Sequence, residues 1–347
     1  MLTACPKRME HGPCGGVAQD GACEVDPDPC VFLDRPTARW AGPPPTAIAA
    51  DPATVADRET GGLRALLARR QVVVADLAAL PLDAASLAAG AGVVRGAVDA
   101  VLLGDSPRSR VQLPPAYRAM LVQQAGVPAW SGLTSRDRNR VALEGELAAL
   151  AHVGVAGVHC VTGDHPLTGS RPDAAPVFDL DSTQVAALAA RAGLLVSVAE
   201  SPSSPPVGRR AARLREKERA GAQLCFVNHA GGVEPVHRFI DEARGLGVGV
   251  GFVPCVPVVV DRDSADLLRS FTSLVLPDGF LTRILGARDP AAEGVAAALE
   301  LAQGMLGLEG VVGVNLSGGS GPGSEQHYNE AFAELGRALT PYLEEHR

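Results

Sequence analysis

A chain of 347 residues, 46% hydrophobic but only 4% aromatic, can bury a large core of Ala, Val, Leu and Gly, the composition of parallel sheets wrapped by helices. A net charge of −8 with no basic block speaks against nucleic acid and anionic membranes as partners. No apolar run reaches membrane-spanning length and the polar start has no signal-peptide core, so the expectation is a soluble cytoplasmic protein.

Four of the seven cysteines, Cys5, Cys14, Cys23 and Cys30, crowd into residues 1–35 among Gly and Pro. That segment has too little apolar material for a core and folds only if something cross-links it. In a cytoplasmic chain four clustered thiols favour a structural zinc site over an iron–sulfur cluster, two disulfides or free thiols. His11 reads as an exposed turn residue rather than a further ligand. Cys160, Cys225 and Cys255 stand alone in apolar runs and read as small buried hydrophobes. Residues 36–68, with Gly42-Pro-Pro-Pro-Thr46, read as a linker wrapping the surface.

From residue 69 to 347 strand and helix patterns alternate. Strands are expected at Gln71–Asp76, Val98–Leu103, Pro128–Ser131, 157–161, Leu194–Val198, Gln223–Val227, 247–253 and Val311–Asn315. Helices are expected at Asp83–Ala91 and near 115–125, 139–153, 183–191, 209–220, 234–245, 262–273, 290–307 and 325–344. Eight such units indicate an α/β fold of the (β/α)8 TIM-barrel type, carrying a small N-terminal four-cysteine zinc-binding module. Chemistry in such barrels sits at the C-terminal strand ends, which here read Asp76, Asp105, Ser131, Asp164, Glu200, Asn228, Pro254 and Asn315. Four acids and two amides on one rim suit a polar, hydrogen-bonding heterocycle or carbonyl compound. No HExxH, Walker A, GxGxxG or strand-end Schiff-base lysine is present. The Gly-rich Ser317–Gly323 is compatible with an anion cradle but reads more simply as a loop.

Four runs carry a resemblance: Leu133-Thr-Ser-Arg-Asp-Arg-Asn139, Val161-Thr-Gly-Asp-His-Pro166, Val177-Phe-Asp-Leu-Asp-Ser182, and Arg213-Leu-Arg-Glu-Lys217 followed by Ala220-Gly-Ala222. In that order they resemble the methylenetetrahydrofolate reductases over roughly residues 70–320. Residues 1–35 resemble the zinc-binding cysteine module of the acetogen-type partner subunit of that reductase, here fused ahead of the barrel.

The resemblance implies hydride transfer from NAD(P)H, through FAD or directly, to 5,10-methylenetetrahydrofolate, giving 5-methyltetrahydrofolate. It implies Asp76 and Asp164 as catalytic acids, and Asn228, Asp164 and Glu200 as folate contacts. Thr134, Arg136, Asp137, Gly163, Asp164 and Lys217 are implied around a flavin, and Cys5, Cys14, Cys23 and Cys30 around zinc. A homo-oligomer or an electron-transfer partner protein is compatible with it. Asp76 stands where the family has Glu and Asn228 where it has Gln, each shortening the reach by about 1.5 Å. Gly132 and Ser201 replace a His and a flavin-stacking Tyr. Two other readings compete: a folate-binding one-carbon or methyl-transfer enzyme, and a non-catalytic partner subunit docking an electron-transfer protein. From the residues alone, Asp179 and Asp181 read as caps of the helix that follows them, and Lys217 as a solvated helix charge.

Overall fold

The computed structural model describes residues 4–42, 62–105 and 109–345. Residues 43–61 of the expected linker lie outside them. Eight parallel strands close a barrel: β3 (Val72–Asp76), β4 (Ala100–Leu103), β5 (Ala129–Thr134), β6 (Gly157–Val161), β7 (Val196–Glu200), β8 (Leu224–Val227), β9 (Gly251–Pro257) and β10 (Gly313–Ser317). β3 through β9 are neighbours in chain order, and β10 completes the ring between β9 and β3. Ahead of the barrel, β1 (Ala22–Cys23) and β2 (Asp26–Pro29) form a small antiparallel pair.

The helices lie between and after these strands. They are α1 (Leu63–Leu67), α2 (Ala84–Val94), α3 (Pro115–Gln124), α4 (Arg140–Val153), α5 (Ser182–Arg191), α6 (Arg210–Arg219), α7 (Val233–Gly245), α8 (Arg262–Arg269), α9 (Phe280–Gly286), α10 (Pro290–Leu306) and α11 (Glu325–Glu345). Local chemistry sets their starts: the Asp83 carboxylate accepts from the N–H groups of Ala85 and Ser86 at the head of α2, and Asn139 does the same for Ala142 in α4. Asp181 caps α5 in a reciprocal box with Gln184. Asp179 instead accepts from the Arg140 N–H at 2.7 Å, serving the helix before it.

The two-residue period of each strand sorts the core and aims the site. Val73, Ala75, Val101, Val158, Cys160, Val196, Val198, Cys225, Val314 and Leu316 face the helices. Val72, Val74, Ala100, Leu102, Trp130, Leu224, Phe226, Val253 and Cys255 fill the barrel, where Trp130 meets Phe226 edge-to-face at 5.1 Å. Leu63 of α1 belongs to that inner cluster and Arg64 bonds Gln223 just before β8, so α1 plugs the bottom of the barrel. The same parity points Asp76, Thr134, Asn228, Asn315 and Ser317 inward at the top, and turns Glu200 toward the helices.

Three expected strand ends move. β5 runs on to Thr134, leaving Ser131 fully buried mid-strand on the helix-facing side. β9 spans Gly251–Pro257, so Pro254, expected as a stop because proline lacks a ladder donor, lies within the strand. Asn315 is mid-strand, and Ser317 ends β10. The expected helix near 262–273 stops at Arg269, and α9 follows it unforeseen.

The four-cysteine zinc module is corrected. Cys5, Cys14, Cys23 and Cys30 border one small apolar space with Val17, Val25 and Phe32, and all four are free thiols. Among the described residues no group of three or more His, Cys, Asp or Glu is disposed to hold a metal ion. Burial pushes the Cys5 thiol up to about 11 and also raises Cys23 and Cys30. The barrel supplies the cross-link instead. Asp181 accepts from the N–H groups of Glu10 and His11 at 3.3 and 3.2 Å, Arg210 donates to the Cys14 carbonyl at 2.9 Å, and Ser204 to that of Val17 at 2.8 Å. His11 is buried against Trp40, not exposed in a turn. No helix among the described residues is long and apolar enough to cross a membrane.

Candidate functional site

The top of the barrel opens into a cavity of about 540 Å3. Strand ends and the loops after them line it through Thr134, Gly163, Asp164, Glu200, Asn228 and Ser317, joined by the loop Ser270–Leu274. The N-terminal segment forms the rest of the wall with Lys7, Met9, Cys14 and Glu24, so the barrel alone does not enclose the cavity.

Asp76 ends β3 beneath Ser317. Its carboxylate accepts from Asn315 Nδ2 at 3.1 Å and from the Ser317 hydroxyl and Gly318 N–H. Burial pushes its carboxyl up to about 6, overriding those three hydrogen bonds, with no cation among the causes. Asp76 is not itself on the cavity wall, where Ser317 stands over it.

Across the mouth every acid meets a cation. Glu200 pairs with Lys217 Nζ at 2.6 Å, both buried between β7 and α6, and Lys217 also donates to the Ala199 carbonyl. Burial lowers the Lys217 ammonium while Glu200 works to hold it up. Asp164, exposed to the cavity, pairs with Arg110 at 3.4 Å. Lys7 and Glu24 form a buried pair at 2.7 Å, and the other Glu24 oxygen accepts from the His165 N–H at 2.6 Å. Burial opposes the Lys7 ammonium, but Cys14, Glu24 and Asp164 outweigh it and raise it to about 12.

Gly163 adopts φ +86°, and a Cβ there would come within 3.1 Å of the Thr134 Cβ, so glycine lets the Asp164 loop close over β5. Asn228 donates from Nδ2 to Ser201 Oγ at 2.9 Å, which fixes its amide at the wall. His165 stacks on Phe178 and accepts from the Leu167 N–H, a packing and capping role. His229 is buried at the wall, and burial takes its imidazole down to about 4.

Of the residues implied around a flavin, Thr134, Gly163, Asp164 and Lys217 line the cavity. Arg136 is spent on a side-on pair with Asp137 and on Asp105 at 2.5 Å, and neither Arg136 nor Asp137 lines the cavity. Lys217 stands at the cavity wall in its pair with Glu200. Sequence reasoning missed Lys7, Glu24 and Arg110, because a lone charged residue in a polar segment is ordinarily solvated.

With this geometry in place, comparison with known proteins decides the family. The family described as methylenetetrahydrofolate reductase matches residues 105–315, more than half of the chain. The chain belongs to the methylenetetrahydrofolate reductase family. A second description, methylene-tetrahydrofolate reductase C terminal, matches residues 1–38, which here precede the barrel and wall its mouth. Membership makes this a folate-type one-carbon enzyme fold, with Asp164, Glu200 and Asn228 inside the matched span and Asp76 outside it. No curated protein matches significantly. Among solved structures, one is similar at 11% identity and TM-score 0.58, covering 81% of this chain and 99% of its own. It is described as an uncharacterized protein from Clostridium thermocellum that binds two copies of 5-methyl-5,6,7,8-tetrahydrofolic acid. A 2,3-dimethylmalate lyase of the PEP mutase/isocitrate lyase superfamily aligns at 14% identity and TM-score 0.45, covering 84% of this chain and 85% of its own. At these identities the first likeness speaks for the fold, and the second carries no argument.

Proposed function

We propose that this chain reduces 5,10-methylenetetrahydrofolate to 5-methyltetrahydrofolate, with the pterin in the barrel-mouth cavity and NAD(P)H as a co-substrate giving hydride directly. The observation that carries the reading is a carboxyl held near 6 by burial at the inward end of β3, in a chain of this family. The substrate's five-membered ring must open before reduction: the C–N10 bond breaks, N10 takes a proton, and the methylene carbon becomes an N5 iminium. Hydride then adds to that carbon, and the nicotinamide is oxidised by two electrons. A carboxyl near 6 is still partly protonated at neutral pH, which suits proton delivery to N10. Asp76 is assigned as the source of that proton, relayed by the Ser317 hydroxyl, which bonds its carboxyl and lines the cavity. Asp164, Asn228 and Glu200 are assigned to the pterin edge, with Glu200 acting through its Lys217 pair as a positioning group.

The solved relative described as binding 5-methyltetrahydrofolic acid supports a folate ligand for this fold. The test is oxidation of NADH or NADPH by purified protein, dependent on methylenetetrahydrofolate, with 5-methyltetrahydrofolate identified by chromatography. Formation of that product, unchanged by added FAD, is the expected result. Absence of product with both nicotinamides overturns the reading.

A further inference from the structure

Resting on the folate reading above, we infer that Lys7, supplied by the N-terminal segment, is a substrate-binding residue that donates to the 4-oxo group of the pterin. Lys7 and Asp164 face the same cavity from opposite sources, one from the segment ahead of the barrel and one from the loop after β6. A 2-amino-4-oxo pterin presents three groups in a row along one edge: an amino donor, the N3–H donor and the C4 carbonyl acceptor. A carboxylate can accept only, and an ammonium can donate only. Asp164 therefore takes the two donors, and Lys7 the acceptor beside them.

The position of Lys7 is built rather than incidental. Its Nζ is held by Glu24 at 2.7 Å, and Glu24 is fixed in turn by the His165 N–H on the loop that carries Asp164. A Cβ at Gly16 would lie 1.7 Å from Glu24 Oε2, so that glycine makes room for the carboxylate. An ammonium has three N–H donors, and the Glu24 pair uses only part of that capacity. The N-terminal segment thereby contributes recognition as well as a wall, and substrate selection depends on its being docked.

The experiment compares tetrahydrofolate with tetrahydroaminopterin, in which the 4-oxo acceptor becomes an amino donor and N3 loses its hydrogen, so the part of the preference due to Lys7 is the part that Lys7→Met removes. Isothermal titration is run on the full-length wild type and on Lys7→Met, which keeps the aliphatic stem. Wild type should prefer the 4-oxo ligand by about tenfold or more, since a hydrogen bond from a charged donor is replaced by an opposed donor. Lys7→Met should weaken the 4-oxo ligand by about tenfold and reduce the preference by the same factor, leaving only the part due to N3–H and Asp164, while Lys7→Arg retains the whole. A purely structural role would weaken both ligands alike and leave the preference intact, which overturns the inference. Should Lys7→Met fail to fold, the wild-type comparison still decides, because lack of preference there overturns it alone. A wild type that binds neither pterin removes the folate reading itself, an outcome distinct from an unchanged preference.

Discussion

Two sides of the barrel mouth hold carboxylates in opposite circumstances. On the β3–β10 side Asp76 is surrounded by an amide, a hydroxyl and a backbone N–H, and its carboxyl rises to about 6. On the β6–β8 side Glu200, Asp164 and Glu24 meet Lys217, Arg110 and Lys7. Charge complementarity there builds a fixed polar wall, whereas an acid without a counter-ion keeps a proton available near neutrality. The difference separates a group suited to proton transfer from groups suited to binding, although all are the same functional group.

The largest effect should come from removing the exchangeable proton. Asp76→Asn keeps the shape but cannot deliver a proton, so turnover should fall by about 10²- to 10⁴-fold. Binding of 5-methyltetrahydrofolate, followed by titration calorimetry, should change little. Unaltered turnover would place the acid elsewhere and erase the contrast between the two sides.

On the paired side the same kind of substitution should damage the fold rather than the chemistry alone. Glu200→Gln leaves Lys217 buried without its counter-charge, and loss of one partner of such a pair costs about 3–5 kcal/mol. Chemical denaturation would measure that loss. The double variant Glu200→Gln with Lys217→Met should recover much of it, because no orphaned ammonium remains. A double variant no better than the single one would mean that the pair is not the unit of stability.

How far this contrast was legible in the sequence depends on the range of each interaction. Strand parity is local, so the inward aim of Asp76 and Asn228 follows once β3 and β8 are placed. Helix caps are nearly as local, and Asp181 is read correctly, but Asp179 serves α4 from 39 residues away. Pairs such as Glu24 with the His165 N–H, 141 residues apart, leave no trace in spacing. The cysteine cluster misled for the same reason. Its segment does need a cross-link, but the link is long-range docking through Asp181, Arg210 and Ser204, which spacing along residues 1–35 cannot reveal. The partners of Arg136 and Lys217, Asp105 and Glu200, come from separate strand ends and are equally absent from the motif spacing.

The smallest effect is also the most direct check on why Asp76 differs from its neighbours. Its folded value of about 6 lies above the unfolded 3.8, so the folded state holds the proton more tightly. That contribution to stability is fully present below about pH 4 and is lost as pH rises through 6, amounting to no more than about 3 kcal/mol. His229 and His159 slope the other way: burial takes them to about 4 and about 3, below their ordinary 6.5, so they favour the fold above 6.5 and disfavour it in acid. Between pH 4 and 6 the acid and the imidazoles therefore oppose one another in the wild type. Asp76→Asn removes one arm of that opposition. Urea unfolding across this window should show the variant gaining stability with pH more steeply than the wild type. Parallel curves would mean that Asp76 is ionised at no cost in the fold, and the two sides of the mouth would then be electrostatically alike.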